Sequence, residues 1–126
     1  MIIYTDGACS GNPGPMGIGV ALVKDGKIVD TISKKIGDGT NNIAEYTAVL
    51  EGIKRAKELG ETDFMIRSDS LLLVKQLNGE YRIKQLHLKE LKGKIDKEIK
   101  NLHVEVEYIP REENKEADKL AKKAIL

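Results

Sequence analysis

Apolar residues recur first at every second position along the chain, then at every third or fourth. Residues 1–5 are apolar and partly β-branched, the pattern of a buried strand that ends near Asp6. Residues 7–17 hold four glycines and two prolines and predict a turn-rich connection. Ile18, Val20 and Leu22 alternate with Gly19, Ala21 and Val23 as a second strand. Asp25-Gly26 is a two-residue hairpin signal leading into a third strand over 27–36, which completes an antiparallel meander. Past Gly37 the period changes. Ile43, Tyr46, Leu50, Ile53 and Ala56 predict an amphipathic helix over 43–59 that Gly60 stops. A short strand over 64–67 and a short helix over 71–77 follow. Leu88, Leu91, Ile95, Ile99 and Leu102 mark a further helix, with Gly93 as its weak point. Val104, Val106 and Tyr108 alternate with Glu105 and Glu107 in a fifth strand closed by Pro110, and Ala117, Leu120, Ala121, Ala124 and Ile125 line a last helix.

That order is an α/β layer fold with a mixed five-stranded sheet. With 126 residues and no repeat, low-complexity tract or linker, a single domain over 1–126 is expected. No apolar run reaches the roughly 18 residues of a membrane span, and no basic N-terminal segment leads into a long apolar one. Membrane and secretory readings are therefore set aside. The one cysteine, Cys9, excludes an internal disulfide and a zinc ribbon and favours a reducing, cytoplasmic setting. Lys and Arg number 21 against 20 Asp and Glu, a net +1, so any binding of nucleic acid must come from a local site rather than bulk attraction.

Two carboxylates fall where α/β sheets bind ligands. Asp6 closes the first strand and Asp69 the fourth, and a right-handed crossover through the first helix lays those strands parallel and adjacent. The two acids then meet in the crevice outside the strand ends. Like charges so placed repel unless a cation lies between them. Oxygen donors without His or Cys suit Mg²⁺ or Mn²⁺ rather than zinc. Each acid also has a plain alternative. Asp6 could open a turn with Gly7, and Asp69 could cap the helix after it. Glu45 has capping-box spacing from Asn42, and Asp118 could be a solvated charge flanking the last helix's apolar stripe. Taken singly, none compels a metal site.

Taken together they form a pattern. Thr5-Asp6-Gly7-Ala8-Cys9-Ser10-Gly11-Asn12-Pro13-Gly14-Pro15 resembles the opening signature of type 1 ribonuclease H. Thr40-Asn41-Asn42-Ile43-Ala44-Glu45 resembles that family's second motif, Ser68-Asp69-Ser70 its third, and Asn114-Lys115-Glu116-Ala117-Asp118-Lys119-Leu120-Ala121 its fourth. The resemblance covers nearly the whole chain. It implies a ribonuclease H-like fold, strand order 3-2-1-4-5, and endonucleolytic hydrolysis of the RNA strand of RNA–DNA hybrids, leaving 5′-phosphate and 3′-hydroxyl ends. By position, Asp6, Glu45, Asp69 and Asp118 match the family's catalytic carboxylates, which hold two Mg²⁺ ions, with Mn²⁺ as the alternative. Asn12, Asn41 and Asn42 match residues that contact the hybrid's minor groove, where short amides donate to and accept from 2′-hydroxyls and base edges. Thr40 matches a residue that binds a DNA phosphate. The plain alternatives are a turn residue for Asn12, helix caps for Asn41 and Asn42, and a loop hydroxyl near a helix start for Thr40.

The chain also departs from the better-known pattern. Many relatives carry a histidine on a mobile loop before the fourth carboxylate. Here that loop is Pro110-Arg111-Glu112-Glu113, and Arg111 is its nearest cation, either a phosphate contact or simply solvated. His87 and His103 flank the third helix and read as surface or packing residues. There is no Trp, and residues 78–94 are only modestly basic, so the chain resembles protrusion-poor archaeal and bacterial members. A weaker, salt-sensitive grip on substrate is the expected result. Some such members cut double-stranded RNA as well, which widens the candidate substrates. The dispersed Tyr4, Tyr46, Tyr81, Tyr108 and Phe64 are expected to pack rather than stack on bases, and a monomer is expected.

Overall fold

The computed structural model describes residues 1–126. Strands β1 (Ile2–Cys9), β2 (Gly14–Lys24) and β3 (Lys27–Gly39) precede helix α1 (Asn41–Glu58). Then come β4 (Asp63–Ser68), α2 (Leu71–Leu77), α3 (Leu86–Glu98), β5 (His103–Tyr108), a 3₁₀ turn (Arg111–Glu113) and α4 (Lys115–Ala124). The sheet runs β3-β2-β1-β4-β5, the order that the family resemblance implied. It is antiparallel from β1 to β3 and parallel across β1–β4 and β4–β5.

Period-two alternation explains the layering. The register sets Ile3 opposite Leu22, Thr5 opposite Val20 and Gly7 opposite Ile18, so these side chains share one face. Helix α1 packs on that face through Ala48, Val49, Gly52 and Ile53, all inside the core with Phe64 and Ile66 of β4 and Leu88 and Ile95 of α3. Each large side chain buried there contributes roughly 1.5–3 kcal/mol. The opposite face takes α4, whose Ala117 and Ala121 are both fully buried against β2 and β1. No helix is long and apolar enough to cross a membrane.

Several boundaries differ from the sequence expectation, each for a physical reason. Residues 7–17 are not one connection. β1 continues to Cys9 and β2 begins at Gly14, so only residues 10–13 turn, with Ser10 N–H donating to the Pro15 carbonyl at 2.8 Å. Two of the glycines that signalled a turn instead permit close helix approach. A Cβ on Gly7 would strike the Ala44–Glu45 peptide of α1, and one on Gly17 would strike the backbone of α4. Strand β3 runs to Gly39 rather than residue 36, carried by pairing with Gly14 and Pro15. Helix α1 begins at Asn41 because Thr40 caps it, its Oγ1 accepting from Ile43 N–H at 3.3 Å. Helix α3 ends at Glu98, and Leu102 packs on the core from the turn beyond it. The hairpin holds as read: Asp25 and Gly26 both have positive φ, 53° and 76°, as a type I′ turn requires.

Candidate active site

The four carboxylates reach one place by four different routes. β1 and β4 pair in parallel from Ile2–Met65 to Tyr4–Arg67, and two residues further along the chain stand Asp6, still within β1, and Asp69, just past the end of β4. Glu45 comes from the second turn of α1, brought against β1 where Gly7 has no Cβ. Asp118 comes from α4. Asp6 sits opposite Gly19 in the register, and the bare Gly19 lets the Ala117 carbonyl of α4 lie directly over it. All four acids line a single cavity of about 420 Å³ with Asn41, Arg111 and Lys122.

The plain alternatives for three of the acids fail on this geometry. Asp6 lies inside β1, so it opens no turn. Ser70, not Asp69, caps α2, its Oγ accepting from Leu73 N–H at 3.3 Å. Thr40 caps α1, so Glu45 makes no capping box with Asn42, and neither Asn41 nor Asn42 is a cap. Thr40 is the helix cap itself rather than an unengaged loop hydroxyl. Asp118 does pair with a helix neighbour, Lys122, at 3.0 Å, but it faces the cavity as it does so.

Concentrated negative charge shows in the titration of these groups. Burial, then the charge of Asp69, then a hydrogen bond and charge from Asp118 push Asp6 up to about 8. Burial, with Asp69 adding to it, also raises Glu45, against a hydrogen bond to Ser70 that favours its ionised form. Asp118 moves the other way. Burial opposes its charge, but Lys122, the hydrogen bond with Asp6 and the charge of Arg111 together hold it below the usual carboxylate range. Burial and neighbouring charge thus favour the neutral form of Asp6, and Asp118 is the more readily ionised of the two. No three acidic, His or Cys side chains converge round one metal-sized point. An all-oxygen donor set in one polar cavity fits a hard divalent cation.

Beside the acids, Asn12, Thr40, Asn41, Asn42 and Gln85 line a second cavity of about 220 Å³. A third, of about 270 Å³, is lined by Asn42, Gln85, Gln76, Arg82 and Lys84, with Leu72 and Leu88. Asn41 belongs to the first and second cavities, and Asn42 and Gln85 to the second and third. The three thus join as a groove leading from carboxylates past amides to two cations. Asn12 is tied into it, its Oδ1 accepting from Asn41 N–H at 3.3 Å. Gln76 braces the far wall: it accepts from the buried Tyr46 hydroxyl and donates to the Arg82 carbonyl at 3.3 Å.

Every candidate read from the sequence lies on this groove, including Arg111. His87 and His103 lie on the surface outside it. Residues missed were Lys122, Asn114, Gln85 and Tyr108. Lys122 was findable, one helical turn beyond Asp118. Tyr108 corrects the aromatic expectation, being 47% exposed at the cavity's edge, and Tyr81 is exposed as well. Tyr46 and Phe64 pack in the core as expected.

Fold and site together define the class: an α/β protein of ribonuclease H architecture with an acidic, open centre. Among families, the one described as "Reverse transcriptase-like" matches residues 4–124. Ribonuclease HI of Halobacterium salinarum is 38% identical over 130 residues, covering 97% of this chain and 62% of that protein. The chain thus spans less than two thirds of the length of this curated relative. The crystal structure of RNase H1 from the halophilic archaeon Halobacterium salinarum superposes with a TM-score of 0.95 at 36% identity, over 98% of this chain and 96% of that one. LC11-RNase H1, solved in complex with an RNA/DNA hybrid, gives 0.94 at 38% identity, over 98% and 95%. The chain belongs to the type 1 ribonuclease H family.

Proposed function

We propose that this protein is a divalent-metal-dependent endoribonuclease that hydrolyses the RNA strand of RNA–DNA hybrids, leaving 5′-phosphate and 3′-hydroxyl ends. The observation that carries this reading is the Asp6 carboxyl, buried beside Glu45, Asp69 and Asp118 in one polar cavity. A catalytically silent binding module gains nothing from negative charge facing phosphates. The RNA/DNA hybrid seen with LC11-RNase H1 supports the same substrate here.

Asp6, Glu45, Asp69 and Asp118 are the groups that would hold two Mg²⁺ ions, or Mn²⁺ in their place. When bound, such ions lower the pKa of an attacking water and stabilise charge at the scissile phosphate. The chain itself supplies orientation. Asn12, Asn41 and Asn42 present amides that can both donate to and accept from 2′-hydroxyls, which marks the RNA strand. Thr40 keeps its hydroxyl proton free for a DNA phosphate while its oxygen caps α1. Arg111 and Lys122 place cations at the edge of the acidic cavity, suited to the phosphates flanking the cut. Because 2′-hydroxyls also line RNA duplexes, double-stranded RNA is a second substrate on this reading. We take the working form to be a cytoplasmic monomer.

A labelled hybrid incubated with Mg²⁺, and in parallel with EDTA, tests the proposal. Cleavage within the RNA strand in Mg²⁺ alone is the expected result, with matched RNA-duplex and DNA-duplex substrates setting its specificity. Near-wild-type cleavage by Asp6→Asn or Asp69→Asn would refute the assignment.

A further inference from the structure

Thr5, Asp69 and Asp118 lie far apart in the chain, yet one residue bonds to all three. Asn114 stands at the start of α4 and is only 1% exposed. Its Nδ2 donates to the Thr5 carbonyl at 2.9 Å and to Asp69 Oδ1 at 3.3 Å. Its backbone carbonyl accepts from Asp118 N–H at 3.1 Å. An Asn at a helix N-cap ordinarily turns its side-chain oxygen to the helix's own N–H groups. Here it makes no such cap bond, and Oδ1 is buried without a partner. Flipping the amide would not help, since it would set oxygen against the oxygens of Thr5 and Asp69. An orphaned buried acceptor lowers stability and is uncommon in native interiors. Neither capping nor packing explains this amide. What explains it is the pair of bonds its nitrogen makes.

We infer that Asn114 is a positioning residue of the acidic centre. Its amide holds Asp69 at a set distance from the β1 backbone next to Asp6, and its carbonyl fixes the first turn of α4 that carries Asp118. A neutral donor suits this role because it orients a carboxylate without supplying a positive charge to compete with a bound cation. Outer groups that orient metal-binding side chains typically account for about 10–100-fold in affinity or activity. The inference rests on the reading of the cavity as a metal-dependent hydrolytic centre.

Wild type and the Asn114→Ala, Asn114→Asp and Asn114→Ser variants are compared in two measurements. One is hybrid-cleavage kinetics in Mg²⁺; the other is the Mn²⁺ concentration giving half the rise in melting temperature, with no substrate present. For the Ala and Asp variants we expect kcat to fall about 10–100-fold with KM for hybrid little changed, and the Mn²⁺ midpoint to rise by a similar factor. Asn114→Ser, which keeps a short donor, should fall between. A Mn²⁺ midpoint equal to wild type in the Ala variant, or a loss confined to KM or to thermal stability, overturns the positioning role. If Asn114→Asp fails to fold, the Ala and Ser variants decide by the same criterion. If wild type binds Mn²⁺ yet cuts no hybrid, the hydrolytic reading falls while the midpoints still decide the role of Asn114.

Discussion

In the metal-free protein Asp6 keeps its proton until about pH 8, whereas in the unfolded chain it is lost near the ordinary value of 3.8. Between those values the folded state binds more protons, so its stability declines as pH rises from about 4 to about 8 and levels off above. Asp6→Asn has no proton to lose. In EDTA we expect its melting temperature to exceed that of wild type by several degrees at pH 8.5, a gap that shrinks towards pH 4. Melting curves across that range check the sign, and a constant gap would remove Asp6 from the explanation. The same variant should lose about 10³-fold or more in cleavage. On the proposed reading, Asn41 serves substrate binding rather than the chemical step. It touches the groove between acids and amides, so Asn41→Ala should raise KM for hybrid roughly 5–20-fold, one hydrogen bond's worth, with kcat changed less. Steady-state kinetics separate the two effects.

At the scale of elements, two close approaches make the site. Helix α1 meets β1 at Gly7, where an added Cβ would lie 2.8 Å from Ala44 Cβ and closer still to the peptide linking Ala44 to Glu45. Helix α4 meets β2 at Gly19, where the Leu120 carbonyl carbon would lie 3.0 Å away and the Ala117 oxygen nearer. Backbone cannot yield as a flexible side chain does. Gly19→Ala should therefore cost about 1–3 kcal/mol in urea unfolding and lower cleavage by more than tenfold, because α4 moves and carries Asp118 with it. Gly93 is the contrast. It sits mid-helix in α3 with open space around its Cα, so Gly93→Ala should stabilise by about 0.5–1 kcal/mol and leave cleavage alone. Equal effects at the two glycines would mean that helix approach does not set the site. These contacts were not legible in the chain, where the glycines over 7–17 read as a turn-rich connection and Gly19 as one position of an alternating strand.

Across the whole molecule, a net charge of +1 offers no general attraction to a polyanion. On the proposed reading, the attraction comes from the cations lining the groove, namely Arg82 and Lys84 at one end and Arg111 and Lys122 at the other. If two to four of them each meet a phosphate, the log–log slope of affinity against salt should be about −2 to −4. Anisotropy of a labelled hybrid in Ca²⁺, measured across salt concentrations, gives that slope. A flat dependence would place the hybrid elsewhere on the surface. The acids and the asparagines could be picked out because their motifs are local and ordered, and Arg111 only as the nearest cation on a loop without histidine. Gln85 was not singled out, since a glutamine before a helix carries no signal until a cavity collects it, whereas the spacing of Lys122 from Asp118 was a signal not used.

The period of apolar residues was sufficient, without coordinates, to give an α/β layer fold with a mixed five-stranded sheet, and the resemblance of four short motifs to type 1 ribonuclease H implied its strand order and its four acids. A period and a short motif are both written among neighbours in the chain, which a sequence displays directly. Which glycines face helices, which residue caps α1, how charge is divided between Asp6 and Asp118, and what Asn114 holds were decided only by the tertiary structure. Each depends on the distance between groups from separate stretches of chain, and such distances exist only after the sheet and helices have packed.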